Sequence, residues 1–301
     1  MWRGGGTVDT QDLKSCGLNS RVGSIPTRAT KIQCAGPACR QAGLKSCGFN
    51  SCAGSIPAPG TKIMFNIFSK FPPNKGKKIP INVGNENFAR FPVKTHVITD
   101  KDNIVEVVKK YCQSYLEKND LIFISEKVVA ISQGRAFPIK DIKPSNLAKF
   151  LTKFVHKSPY GIGLGSPWTM ELAIKEAGSV RIIFAAIISA ITKPFGAKGI
   201  FYKVVGKNIS AIDGPCSYTL PPYNKYAKLG PLKPDEVAKK IKDETGAHVV
   251  IIDANDLGIR ILGKSNSSIS DEFCENVFRD NPLGQSTQQT PIGIIRKIPV
   301  K

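Results

Sequence analysis

The feature that most constrains this chain is a repeat that stops abruptly. LKSCGLNSRVGSIPTRATKI occupies residues 13–32 and LKSCGFNSCAGSIPAPGTKI residues 44–63, an offset of 31 residues, and nothing similar follows. Composition changes at the same point. Five of the eight cysteines (Cys16, Cys34, Cys39, Cys47, Cys52) precede Met64, leaving Cys112, Cys216 and Cys274 for the rest. One reading of the repeat is a small metal or disulfide module. The segment has no histidine, however, and four residues separate Cys34 from Cys39 and Cys47 from Cys52, where zinc knuckles usually have about two. A second reading comes from codons: Gly-Ser-Ile-Pro, at 23–26 and again at 54–57, can be written as the consensus of a transfer RNA T-arm, and the offset is about one such gene plus a spacer. Residues 1–63 are then expected to be translated from tandem transfer RNA genes and to lack a stable fold, with the protein proper starting at Met64.

Charge is reweighted by that division. Of the formal +20, residues 1–63 supply eight Lys+Arg and two Asp+Glu, so +14 stays with the remainder, where it is dispersed. A nucleic-acid-binding protein would cluster its basic residues and interleave aromatics, so no nucleic-acid partner is expected. A membrane span is not expected either. The longest apolar run, IIFAAIISAI at 182–191, has half of the ~20 residues a bilayer requires and is flanked by Arg181 and Lys193, so it reads as a buried core segment. The chain opens without a charged segment followed by an apolar one, which points to the cytoplasm and to reduced cysteines.

Residues 64–90, rich in Pro, Asn and Lys, suggest a flexible lead-in or an edge strand, and the periodic chain of 91–301 follows. Over 103–117, Ile104, Val107, Val108, Tyr111 and Tyr115 recur at helical spacing behind an Asp102 or Asn103 N-cap. A turn at Asn119-Asp120 leads to LIFISEKVVAIS, which opens as a buried strand. A helix is expected after Pro144. Another is expected from Ser166-Pro167 to Gly178, preceded by Gly161, Gly163 and Gly165 in a turn that lacks the spacing of a phosphate loop. IFYKVVG is strand-like, GPCSYTLPP a loop, 235–245 a helix stopped by Gly246, and AHVVIID a strand ending in Asp253. A helix over 270–278 and the strand IGIIRKI complete an α/β or α+β alternation.

Three apolar strands or strand-like runs end at polar clusters: Ser125-Glu126-Lys127, Ile212-Asp213-Gly214 and Asp253-Ala254-Asn255-Asp256. Strand carboxyl ends are where α/β sheets form ligand clefts. Two carboxylates converging there suit a hard divalent cation, which takes oxygen ligands and bridges to substrate phosphates. His96, His156 and His248 stand alone in sequence and read as surface or core residues. Cys216 has no basic neighbour to lower its pKa, so cysteine catalysis is not expected.

These residues carry a resemblance. DLIFISEKVVAISQGR (120–135), IDGP around Asp213, VVIIDANDLG around Asp253 and GQSTQQTPIGIIR near the end resemble, in order, segments of the coenzyme F420-0:L-glutamate ligase family over about 93–297. The resemblance implies a two-domain α/β fold assembled as an intertwined homodimer. It also implies an enzyme that uses GTP, or ATP, with Mg2+ or Mn2+ to add glutamate to a deazaflavin phospholactate. Asp213, Asp253 and Gln285 resemble its metal-binding positions. Glu126, Lys127, Gly284, Ser286 and Thr287 align with nucleotide contacts, and Asn255 and Asp256 with the substrate side; no catalytic residue is assigned. This chain has Glu126 at a nucleotide-contacting serine, Ile131 at a phosphate-binding lysine and Ala254 in place of a hydroxyl. The alternatives are a ligase acting on a different carboxylic acid and a non-catalytic binder of nucleotide or deazaflavin.

Overall fold

The computed structural model describes residues 67–155, 162–196, 199–255 and 258–299; the repeat lies outside them. The chain is mixed α/β. β1 (Pro80–Val83) and β2 (Glu86–Val93) form a hairpin, α1 spans Ile104–Cys112, β3 Leu121–Ser125 and α2 Glu126–Ser132. β4 (Ala136–Pro138), α3 (Asn146–Leu151), α4 (Pro167–Ala177), α5 (Ser179–Thr192), α6 (Ile200–Val205), α7 (Lys207–Ser210) and β5 (Tyr226–Lys228) build the middle of the chain. α8 (Pro234–Thr245), β6 (His248–Asn255), β7 (Gly258–Lys264), α9 (Asp271–Phe278) and β8 (Ile292–Ile298) close it. Among the described residues six strands form one sheet in the order β1-β2-β8-β3-β6-β7, and β4 pairs with β5 separately.

The central strands read as unbroken apolar runs because both faces of the sheet are covered. Ile122, Ile124, Val249 and Ile251 point one way, against Val107, Val108 and Cys112 of α1 and Ala238 and Ile241 of α8. Phe123, Val250 and Ile252 point the other way, against Cys274, Val277 and Phe278 of α9. β3 and β6 run parallel, Ser125 opposite Ile252, while β3–β8, β2–β8 and β6–β7 are antiparallel. Parallel β3 and β6 therefore deliver Glu126 and Asp253 to the same end of the sheet.

Most boundaries fall where the cap residues place them. Asn103 accepts from Val105 N, Ser166 forms a capping box with Thr169, Ser270 accepts from Phe273 N, and Gly178 and Gly246 stop their helices. Of the two readings of 64–90 the edge strand holds: β1 lies at the edge of the sheet, and Ile67, Phe71 and Ile79 are buried in the core. Three expectations are corrected. IFYKVVG is the helix α6, because Gly199 and Gly206, both at positive φ, bracket the segment and Arg181 of α5 ties to Val204 O. Asp213 does not end a strand; it follows α7 and pairs with Lys228 in an isolated bridge. The apolar run at 182–191 lies in α5, where Ile182 and Ala185 are buried but Phe184 is 56% and Ile191 61% exposed. Its neighbours cover one side of that helix only. No helix among the described residues is long and apolar enough to cross a membrane.

Candidate active site

A cleft of about 540 Å3 opens at the carboxyl ends of β3 and β6. Ser125, Glu126 and Lys127 come from the β3–α2 junction, and Asp253, Ala254 and Asn255 from the end of β6. Asp213 and Lys228 enter from the bridge before and after the 214–222 loop, and Gly284, Gln285 and Ser286 from the loop preceding β8. That loop is pinned to the sheet. Ser125 N donates to Pro291 O at 2.9 Å, Thr95 N to Gln289 O at 3.0 Å, and Asn281 Nδ2 to Ala254 O and Gly284 O at 3.3 Å each. Gly284 is required where it sits: its φ is +76°, and a Cβ would lie 2.6 Å from the Gln288 side chain.

The floor of the cleft is a buried ion pair. Lys228 Nζ donates to Glu126 Oε1 at 2.7 Å and to Ala211 O at 3.0 Å, and both side chains are nearly inaccessible. Backbone bonds Asp213 N→Lys228 O (3.1 Å) and Lys228 N→Asp213 O (2.9 Å) lock Asp213 beside the lysine. Lys127 Nζ lies 3.5 Å from Asp213 Oδ2. Burial raises the Glu126 carboxyl, opposed chiefly by Lys228 and reinforced by Asp253. Burial also works against the Lys228 ammonium, but Glu126, Asp213 and Asp253 outweigh it and hold its pKa above the ordinary value. Lys228 is the firmly charged member of the pair, a fixed cation among three carboxylates.

Three buried side-chain atoms in this cleft have no hydrogen-bond partner: Glu126 Oε2, Asn281 Oδ1 and Gln285 Nε2. Such atoms are costly unless a ligand satisfies them. They also test the divalent cation implied by the resemblance. Asp213 and Asp253 supply carboxylate oxygens, and a half-turn of the Gln285 amide, whose O and N are interchangeable in placement, would present its oxygen instead. Among the described residues no group of three or more His, Cys, Asp or Glu is arranged to hold a metal. A Mg2+ or Mn2+ ion here would rest on one or two carboxylates and be completed by substrate phosphates. The residues fit such an ion.

Of the residues expected from the sequence, Glu126, Lys127, Asp213, Asp253, Asn255, Gly284, Gln285 and Ser286 share the cleft wall. Thr287 is exposed and does not line it, and Asp256 lies outside the described residues. Ile131 and Ala254 line the cleft too, so both departures from the resemblance face the ligand space. Arg135, the end of the Gly-Arg signature, is structural: it donates to Gly230 O at 2.7 Å and to Glu176 at 2.6 Å. Sequence reasoning missed Lys228, Arg260 and Asn281, which also line the cleft. The available signal was Lys228 itself, a lone lysine between Ala227 and Leu229 in a short apolar run. His96 is not isolated, since its ring bonds Asp102 (2.9 Å) and the Tyr111 hydroxyl (3.0 Å) at the cleft rim. Cys112 and Cys274 are free and buried, their thiols pushed up to about 12 by burial, and Cys216 is free and buried too.

A parallel strand pair ending in acidic and basic side chains at a cleft of about 540 Å3 defines a mixed α/β fold with a polar-ligand site. The profile of the F420-0:gamma-glutamyl ligase family matches residues 92–270, and the chain belongs to that family, a family of ligases. No curated protein matches the chain.

Proposed function

We propose that this protein is a nucleotide- and divalent-metal-dependent amide ligase that joins glutamate to a carboxylic acid, a deazaflavin phospholactate in the family's manner, and works as a homodimer. The observation that carries the reading is the cleft at the β3 and β6 ends, where carboxylates, a buried lysine and unpaired polar atoms converge. Asp213, Asp253 and Gln285 would hold Mg2+ or Mn2+, which supplies charge neutralisation for a triphosphate when bound. Lys127, Gly284 and Ser286 would receive GTP, or ATP, and Asn255 the acceptor. Phosphoryl transfer to an acceptor carboxylate asks for positioning and charge neutralisation rather than a protein nucleophile, so the absence of an activated cysteine is no objection. Pinning of the 281–291 loop fixes its backbone N–H groups before ligand arrives, which lowers the ordering cost of binding.

The test is phosphate release from GTP or ATP with Mn2+, glutamate and an acceptor. Release should occur only when the acceptor is present, because the acyl phosphate must form on it. Gln285→Ala should slow release on the order of 10²-fold, the usual effect of losing one charge-stabilising contact. Asp213→Asn and Asp253→Asn should each abolish Mn2+-dependent nucleotide binding. One feature favours a second reading, a non-catalytic binder: Ile131 stands in the cleft where a lysine is expected. Tight nucleotide binding without turnover of any deazaflavin phospholactate or related acid would establish that reading instead.

A further inference from the structure

Two phenylalanines stand on the outer side of a helix that is firmly anchored on its inner side. Ala148 of α3 is fully buried, and Leu151 and Val155 pack into the core shared with Met170 and Ala173 of α4. Ser145 caps the helix, its Oγ accepting from Ala148 N at 3.2 Å, while Ser145 N donates to Glu171 of α4 at 2.9 Å. Bonds from Lys153 N to Phe150 O and from Phe154 N to Leu151 O, 3.1 Å each, carry the turn on past Leu151. At this spacing Lys149, Phe150, Lys153 and Phe154 form one continuous arc facing solvent, Phe150 55% and Phe154 71% exposed. Their rings meet edge to face with centroids 5.1 Å apart. We propose that this arc docks on an anionic lipid bilayer, the phenylalanines entering the interface and the lysines meeting the headgroups.

Charge selects the occupant. Residues 139–155 expose Lys140, Lys143, Lys149 and Lys153 against Asp141 alone, and among the described residues none of the four lysines is in an ion pair. A cluster of about four or more lysines beside exposed apolar side chains is drawn to a phosphatidylserine-rich surface, where the rings bury and the ammonium groups reach the headgroups. Lysine stems lie along apolar surface while their charged ends stay in the polar layer, so the two residue types work at one depth. A second copy docking through the same arc would set these lysines against their own counterparts, like charge facing like. Single-stranded nucleic acid would need open ring faces for its bases. The 65° between the ring planes turns the edge of one ring onto the other, so the pair projects as one apolar knob. None of these residues lines the cleft, and the docking surface therefore stands independently of the ligase reading.

The experiment is co-sedimentation of the full chain with vesicles. Binding to vesicles of phosphatidylserine and phosphatidylcholine in equal parts should exceed binding to phosphatidylcholine alone by at least about tenfold, since each lysine near an anionic surface adds attraction. Added salt should weaken it, because exposed charges are screened. Phe150→Ser combined with Phe154→Ser should lower binding to the mixed vesicles at least about tenfold by removing the inserted rings, with the melting temperature unchanged. Lys149→Glu combined with Lys153→Glu should do the same and keeps the test in force if the phenylalanine variant fails to fold. No binding to mixed vesicles, equal binding to both kinds, or variants that bind as the unmodified chain does overturn the proposal. Loss of vesicle binding in Ile187→Lys but not in the phenylalanine variant would move the lipid contact to α5 and overturn it too. Binding of a single-stranded oligonucleotide that depends on Phe150 and Phe154, without vesicle binding, overturns it in favour of base stacking.

Discussion

Asp120 and Arg296 show what a buried charge requires in this fold. The guanidinium spans both carboxylate oxygens, Nε to Oδ1 at 2.9 Å and Nη2 to Oδ2 at 2.7 Å, and Nη2 also donates to Tyr115 O at 2.7 Å. Both residues are almost inaccessible, so each neutralises a partner that water cannot reach. Arg296 Nη1 also pairs with the partly exposed Glu117 at 2.5 Å, so Asp120→Ala should cost about 3 kcal/mol, the lower end of the range for breaking a buried pair, read as a lower midpoint in urea unfolding. If the loss stayed below about 1 kcal/mol, typical of an exposed pair, the burial would be wrong. At this scale the sequence was only half legible. Asp213 and Asp253 stand out because carboxylates after apolar runs are conspicuous, whereas Gln285 follows only from the resemblance. Lys228 does not stand out, because its meaning depends on Glu126, 102 residues away in the chain.

Helix and strand boundaries were legible wherever a cap or stop is local. Ser166-Pro167 and Gly178 bound α4, and Asn103, Ser270 and Gly246 bound others, because each acts through backbone groups within a turn of itself. α6 was not legible: Ile200, Phe201, Val204 and Val205 favour strands, and packing against α5 overrides that preference. One link between elements yields a pH prediction. Arg90 of β2 is 2% exposed and holds Asp280, just past α9, while also donating to Val277 O (3.1 Å) and Lys78 O (2.7 Å). Burial would raise the Asp280 carboxyl, but the Arg90 hydrogen bond and charge win and hold it below the ordinary value. A depressed folded pKa contributes stability that is present above the unfolded value, about 3.9, and is lost as pH falls through the folded one. Melting temperature should drop on acidification below about pH 4, and Asp280→Asn should flatten that drop while lowering stability at neutral pH. An acid limb unchanged in the variant would remove Asp280 as its source.

Over the whole molecule the exposed apolar side of α5 is the feature least explained by one chain. Val180, Phe184, Ile187 and Ile191 are exposed along it, with Phe195 beyond its end. A contiguous exposed apolar patch of this kind marks an association surface, and the proposed homodimer gives it an occupant of matching apolar character. Ile187→Lys should then shift the protein from dimer to monomer in sedimentation; a wild-type monomer, or an unchanged dimer, would place the contact elsewhere. The sequence by itself determined the α/β alternation, the buried strands, the capped helices and the family, because periodicity, caps and ordered motifs act over short separations. Only the tertiary structure decided which side of the 182–191 segment is covered, that residues 200–205 coil, and that Glu126, Asp213 and Asp253 surround Lys228. Those outcomes depend on chain segments far apart in sequence meeting in space, and burial and charge pairing take their sign from that meeting.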